Sequence, residues 1–211
     1  MLTLLAPELE DYALRHTRAE PRELAELERL TYERMQDPQM LTGRVEGRFL
    51  KLLALLVRPK LVVEVGTFTG YSALSMAEAL DDDARLITCD LDPAAAEVAR
   101  AAFARSPHGK RIELRLGPAL ETLKGIQGPV DLSFIDADKT AYPEYYEALL
   151  ARTRRGGVLV LDNMLQSGRV LAPRDPASRA IHALNERIAR DERVENVLLA
   201  VRDGVQLVVK R

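Results

Sequence analysis

The chain has 211 residues, 47% of them hydrophobic and 29% charged, a globular composition that argues against a disordered chain. Thirty basic residues face 32 acidic ones for a net charge of −2, which speaks against a bulk electrostatic grip on nucleic acid. The single cysteine, Cys89, excludes an intrachain disulfide framework and a multi-cysteine zinc site, and the absence of Trp leaves six Tyr and four Phe for any aromatic wall.

This length predicts one domain, residues 1–211, with a helical arm over 1–58 and a core over 59–211. The apolar run Met1–Pro7 has no basic segment before it and no cleavage site after it, so it is not expected to act as an export signal. Leu50–Val57 is apolar apart from Lys51, far short of the ~20 residues a membrane span requires. A cytoplasmic protein without membrane partners is the expectation.

In chain order, Pro21 suits a first helical position, and Arg22–Met35 is rich in Leu, Glu and Arg, with mixed charges that suit a solvated helix face. Asp37-Pro38 punctuates the chain. Arg44–Val57 reads as an apolar helix that stops before Pro59. From Leu61 short apolar runs alternate with helical stretches. Strands are expected over Leu61–Val65, Arg85–Asp90, Ile112–Leu116, Val130–Ile135 and Val158–Leu161. Helices are expected between them over Tyr71–Leu80, Ala94–Arg105, Pro118–Lys124 and Tyr142–Arg152. Such alternation, with strands apolar throughout, predicts an α/β fold: a parallel sheet covered on both faces. Pro176–Arg190 reads as a further helix. Val194–Val201 and Val205–Lys210 then flank Asp203-Gly204, a hairpin signal, so an antiparallel pair is expected after the parallel strands.

Two constellations carry chemistry. In the first, the strand Val62–Val65 runs into Gly66-Thr67-Phe68-Thr69-Gly70 and then a helix, and the glycines let backbone approach a ligand. Asp90 ends the next strand, 24 positions after Gly66, where an acidic residue can take the hydroxyls of a ribose. NAD and S-adenosylmethionine both carry that ribose. The Gly-x-x-x-Gly spacing lacks a middle glycine for a pyrophosphate, and the acidic Glu64 beside the turn suits a sulfonium better than phosphates, so the methyl donor is favoured over an NAD-dependent dehydrogenase. In the second, Asp136 ends the fourth strand, and Asp162-Asn163 ends the fifth. Carboxyl ends of neighbouring parallel strands open into one crevice. The three side chains offer only oxygen, which suits Mg²⁺, Ca²⁺ or Mn²⁺. Lys139 follows as a candidate base with a pKa depressed by such a cation. Of Tyr142, Tyr145 and Tyr146, which read mainly as packing residues, Tyr145 is expected to face the crevice.

The chain resembles the cation-dependent class I S-adenosylmethionine O-methyltransferases, the caffeoyl-coenzyme A and catechol O-methyltransferase group. The resemblance runs from about Met40 onward. It rests on Glu46-Gly47-Arg48-Phe49-Leu50, Glu64-Val65-Gly66-Thr67-Phe68-Thr69-Gly70-Tyr71-Ser72, Asp90-Leu91-Asp92, Gly117-Pro118-Ala119-Leu120, Phe134-Ile135-Asp136-Ala137-Asp138-Lys139 and Asp162-Asn163. It implies a doubly wound, Rossmann-like seven-stranded sheet, usually in a homodimer. It implies S-adenosylmethionine contacts at Thr42, Glu64, Gly66, Thr67, Ser72, Asp90, Leu91, Ala119, Asp136, Asp138 and Tyr145. It also implies metal ligands at Asp136, Asp162 and Asn163, catalytic roles for Lys139 and Asp136, and a catechol-like phenolic acceptor. Where the plant members carry an aromatic residue and an asparagine against the substrate, this chain has Gln166 and Ser167. A non-catalytic protein that merely keeps the cofactor fold is the reading from another class; the intact Asp136, Lys139, Asp162 and Asn163 speak against it.

Overall fold

Seven strands form a single sheet in the order β3-β2-β1-β4-β5-β7-β6. They are β1 (Leu61–Val65), β2 (Arg85–Asp90), β3 (Ile112–Leu116), β4 (Val130–Ile135), β5 (Thr153–Leu161), β6 (Val194–Leu199) and β7 (Val205–Lys210). The first five are mutually parallel, and β7 runs antiparallel to both β5 and β6. The structure is a computed structural model describing residues 6–211. Most of the Met1–Pro7 run lies outside the described residues. Among them, no helix is long and apolar enough to cross a membrane.

The central strands are apolar because both of their faces are covered. Every residue of β1 and β4 is buried. Alternation sends Val63 and Val65 into a core with α6 (Ala119–Lys124), α7 (Tyr142–Arg152) and α8 (Pro176–Ile188). Val62 points the other way, toward α2 (Arg22–Arg34), α3 (Gly43–Val57), α4 (Tyr71–Ala77) and α5 (Pro93–Arg105). An eighth helix, α1 (Pro7–Arg15), precedes these. The sequence places helix starts where caps are available. Asp92 accepts from the Ala94 amide at 2.8 Å with Pro93 next, and Asp175 accepts from the Ser178 amide at 2.9 Å with Pro176 next. Each such cap is worth ~1 kcal/mol. The helical arm is tied to the sheet end, since Thr31 Oγ1 on α2 donates to Thr69 Oγ1 at 2.8 Å.

Three departures from the sequence expectation stand out, beside shifts of one or two residues at other element ends. α4 ends at Ala77, three residues early. β5 begins at Thr153 and not Val158, and the pairing shifts register between Val130 and Leu132. Its polar start is held by tertiary bonds, Arg154 Nε to Asp131 Oδ1 and Thr153 Oγ1 to the Leu149 carbonyl, which leave no apolar signal. The third concerns Asp203-Gly204. Leu199 pairs with Val205, so the connection is Ala200–Gly204 and not a two-residue turn. Contacts outside the hairpin decide this: Asp203 is buried and accepts from the Ser167 amide, while its carbonyl and that of Gly204 accept from the Leu165 and Met164 amides. The loops after β5 and after β6 are thus knit together.

Candidate active site

The carboxyl ends of β1, β2, β4 and β5 open into a cleft of about 640 Å³. Its floor is set by Gly66, which adopts φ +100°; a Cβ there would sit 1.8 Å from the Asp136 carbonyl oxygen. The turn after β1 can therefore lie against the end of β4 only with glycine in that place. Asp90 fixes the same turn from the other side. Its Oδ2 accepts from the Thr67 and Phe68 amides at 2.9 and 2.6 Å, and its Oδ1 accepts from the Asp92 amide at 2.9 Å. Two carboxylate oxygens carry about four lone-pair sites, so Asp90 keeps acceptor capacity toward the cleft.

All the residues expected to contact cofactor line this cleft except Glu64. Glu64 is fully buried beneath it, with Thr88 Oγ1 donating to Oε2 at 2.5 Å and Oε1 without a hydrogen-bond partner among the described residues. Burial pushes its carboxyl up to about 8, with smaller contributions from the charges of Asp136 and Asp90, and the Thr88 bond offsets only part of this. Glu64 thus lies beneath the cleft and not in its lining, and its burial favours the neutral acid. Cys89 also lines the cleft. Burial and the charge of Glu64 push its thiol up to about 12, which leaves it inert as a nucleophile.

Lys139, Asp162 and Asn163 line the other end of the same cleft, beside Asp136. Lys139 Nζ donates to Asp136 Oδ1 at 2.7 Å and to the Tyr142 hydroxyl at 2.7 Å. That hydroxyl donates in turn to the carbonyl of Ile135 or Asp162, 3.0 and 3.1 Å away. Tyr142 is therefore more than packing; it joins the ends of β4 and β5 to Lys139. Burial works against the ammonium, but the Asp136 charge and Tyr142 outweigh it and hold Lys139 above the usual lysine range. Asp162 is 3% exposed, and its Oδ1 accepts from the Asn163 amide at 2.7 Å. Burial, and next the charge of Asp136, pull its carboxyl up to about 6. Tyr145 faces the cleft as expected, and Tyr146 turns away to bond Asp191 Oδ2 at 3.0 Å.

A family model described as O-methyltransferase matches residues 15–211. This chain belongs to that O-methyltransferase family. The methyltransferase is 39% identical over 217 aligned positions to catechol O-methyltransferase domain-containing protein 1 of Mus musculus, covering 98% of this chain and 82% of the relative. It is 36% identical over 208 positions to probable caffeoyl-CoA O-methyltransferase 1 of Dictyostelium discoideum, covering 95% and 90%. The O-methyltransferase of Bacillus cereus in complex with S-adenosylhomocysteine superposes with a TM-score of 0.89 at 28% identity, covering 97% of each chain. The Streptomyces achromogenes enzyme of tomaymycin synthesis, in complex with S-adenosylmethionine, gives 0.88 at 28% identity, covering 96% of each. The methyltransferase is thus an S-adenosylmethionine-dependent enzyme, and the NAD reading falls away.

Sequence reasoning gave no role to Arg202 or Glu46. Arg202, in the β6–β7 loop, lines the cleft and donates to Glu46 Oε2 and to the Thr42 carbonyl. These partners lie 156 and 160 positions away, so no local pattern announces them.

Proposed function

We propose that this methyltransferase transfers a methyl group to one hydroxyl of a vicinal dihydroxy phenol, with a divalent cation held by Asp136, Asp162 and Asn163. The observation that carries the reading is the crowding of two carboxylates at adjacent strand ends, where Asp136 helps raise Asp162 to about 6. A buried carboxylate whose proton affinity a neighbouring carboxylate raises is short of positive charge. The donor set is hard oxygen throughout, as Mg²⁺ prefers with one or two carboxylates and remaining places for water or substrate. Among the described residues no cluster of three or more His, Cys, Asp or Glu side chains suits a metal; the proposed set has two carboxylates and the Asn163 amide.

When bound, the cation would supply Lewis-acid charge and a template for two adjacent oxygens. The remaining work falls to side chains. Asp90 would accept from the cofactor ribose, with Thr67 and Ala119 bordering the same part of the cleft. Glu64 would ionise as the sulfonium arrives above it. Lys139 Nζ would take the acceptor's proton, since a phenol ionises only near pH ~10 unaided. It becomes a base only after Asp136 Oδ1 turns from it, because that ion pair keeps the ammonium charged. Tyr142 Oη then holds the amine in place. Alignment of the nucleophile with the methyl carbon is the main service of such a site.

The test is transfer of radiolabelled methyl from S-adenosylmethionine to a panel of catechol, caffeoyl and flavonoid acceptors, with and without chelator. Transfer is expected to stop with chelator and return with Mg²⁺. Undiminished transfer in excess chelator would sink the cation. No transfer to any acceptor would favour a non-catalytic cofactor-binding role.

A further inference from the structure

The acceptor end contains one more cation than its ligand set explains. Arg202 adopts φ +51°, an unusual conformation for a non-glycine residue, and its side chain is only 10% exposed. It pairs with Glu46, which is 1% exposed at the start of α3 and whose Oε1 has no hydrogen-bond partner among the described residues. Three carboxyl groups, those of Glu46, Asp162 and Asp136, therefore share two basic groups. Lys139 takes Asp136, and Arg202 takes Glu46. Asp162 has no ion-pair partner among the described residues.

We propose that Arg202 is a resident counter-ion, partly neutralised by Glu46, that holds down the site's affinity for divalent ions. The inference rests on the cation reading given above. Its logic is Coulombic. A guanidinium lining the same cleft as the two ligand carboxylates repels an incoming divalent ion, and in a buried setting that repulsion is weakly screened. A weakly held cation with few protein ligands is one whose binding the two acceptor oxygens can complete.

A purely mechanical role for Arg202, fastening the β6–β7 loop to α3, predicts the opposite response to its removal. Titration with Mn²⁺ alone, following free ion by electron paramagnetic resonance, separates the two, with thermal melting to verify folding. Arg202→Met is expected to bind Mn²⁺ about tenfold or more tightly than wild type. Arg202→Lys keeps the charge and should stay close to wild type. Glu46→Gln leaves Arg202 unneutralised and should weaken Mn²⁺ by a similar factor, which provides a test of opposite sign should Arg202→Met fail to fold. The double variant should return near wild type. Unchanged or weaker Mn²⁺ binding by Arg202→Met, or unweakened binding by Glu46→Gln, overturns the inference while leaving the cation reading intact. Absence of Mn²⁺ binding from wild type overturns both.

Discussion

The two ends of the cleft are built on different principles. At the cofactor end, backbone does the holding. Gly66 lies against the Asp136 carbonyl, and Asp90 receives three main-chain amides. At the acceptor end, side chains do it: Lys139 with Asp136 and Tyr142, and Arg202 with Glu46. Backbone packing fixes a shape. Paired charges fix an electrostatic state, which a substrate or ion can redistribute. The contrast implies that damage at the acceptor end should appear in turnover, and damage at the cofactor end in stability and binding.

The largest expected effect is at Lys139. Lys139→Ala should lower kcat by ~10²–10⁴-fold, the usual worth of a positioned base, while calorimetric affinity for S-adenosylhomocysteine stays unchanged. Wild-type turnover in that variant would remove Lys139 as the base. Gly66→Ala tests the other side of the contrast. A Cβ 1.8 Å from a carbonyl oxygen at φ +100° should cost roughly 2–5 kcal/mol of stability, read by chemical denaturation, with cofactor binding lost as well. An unperturbed Gly66→Ala protein would show that the floor of the cleft is not rigid.

The smallest effect is a slope. Glu64 has its carboxyl pushed up to about 8 from an ordinary 4.5, chiefly by burial. Between those values the unfolded chain has released this proton and the native protein retains it. The native state binds more protons, so stability falls as pH rises through this window, and the contribution present below pH 4.5 is gone above about 8. Glu64→Gln should flatten this part of the melting-temperature profile against pH. Parallel profiles for the two proteins would mean that Glu64 is already ionised at neutral pH.

Legibility followed the same division. The glycine turn, Asp90 and the strand-end acids stand within short segments, and short apolar runs with a hairpin signal placed the seven strands. Thr153–Gly157 was missed because an ion pair, not apolar burial, holds the start of β5. Asp203-Gly204 pointed to the hairpin yet misled about its loop, since Ser167 and Leu165 claim those residues for a tertiary contact. Glu46 stood in a quoted motif without a role. Its meaning depends on Arg202, and only the folded chain brings the two together. Tyr142 read as packing because its hydroxyl links Lys139 to backbone carbonyls at two strand ends, and sequence is blind to those carbonyls.

The clasp between Arg202 and the segment Thr42–Glu46 has a consequence for biosynthesis. Once Leu161 has been made, the nascent chain contains all of β1, β4 and β5, so that β1 can pair with β4 and β4 with β5. Its acceptor end must wait until β6 has formed and the polypeptide has doubled back to slot β7 beside β5. Contacts of such long sequence separation form late and slowly. The clasp that joins Arg202 to Thr42 and Glu46 is therefore closed only after synthesis has passed the β6–β7 segment.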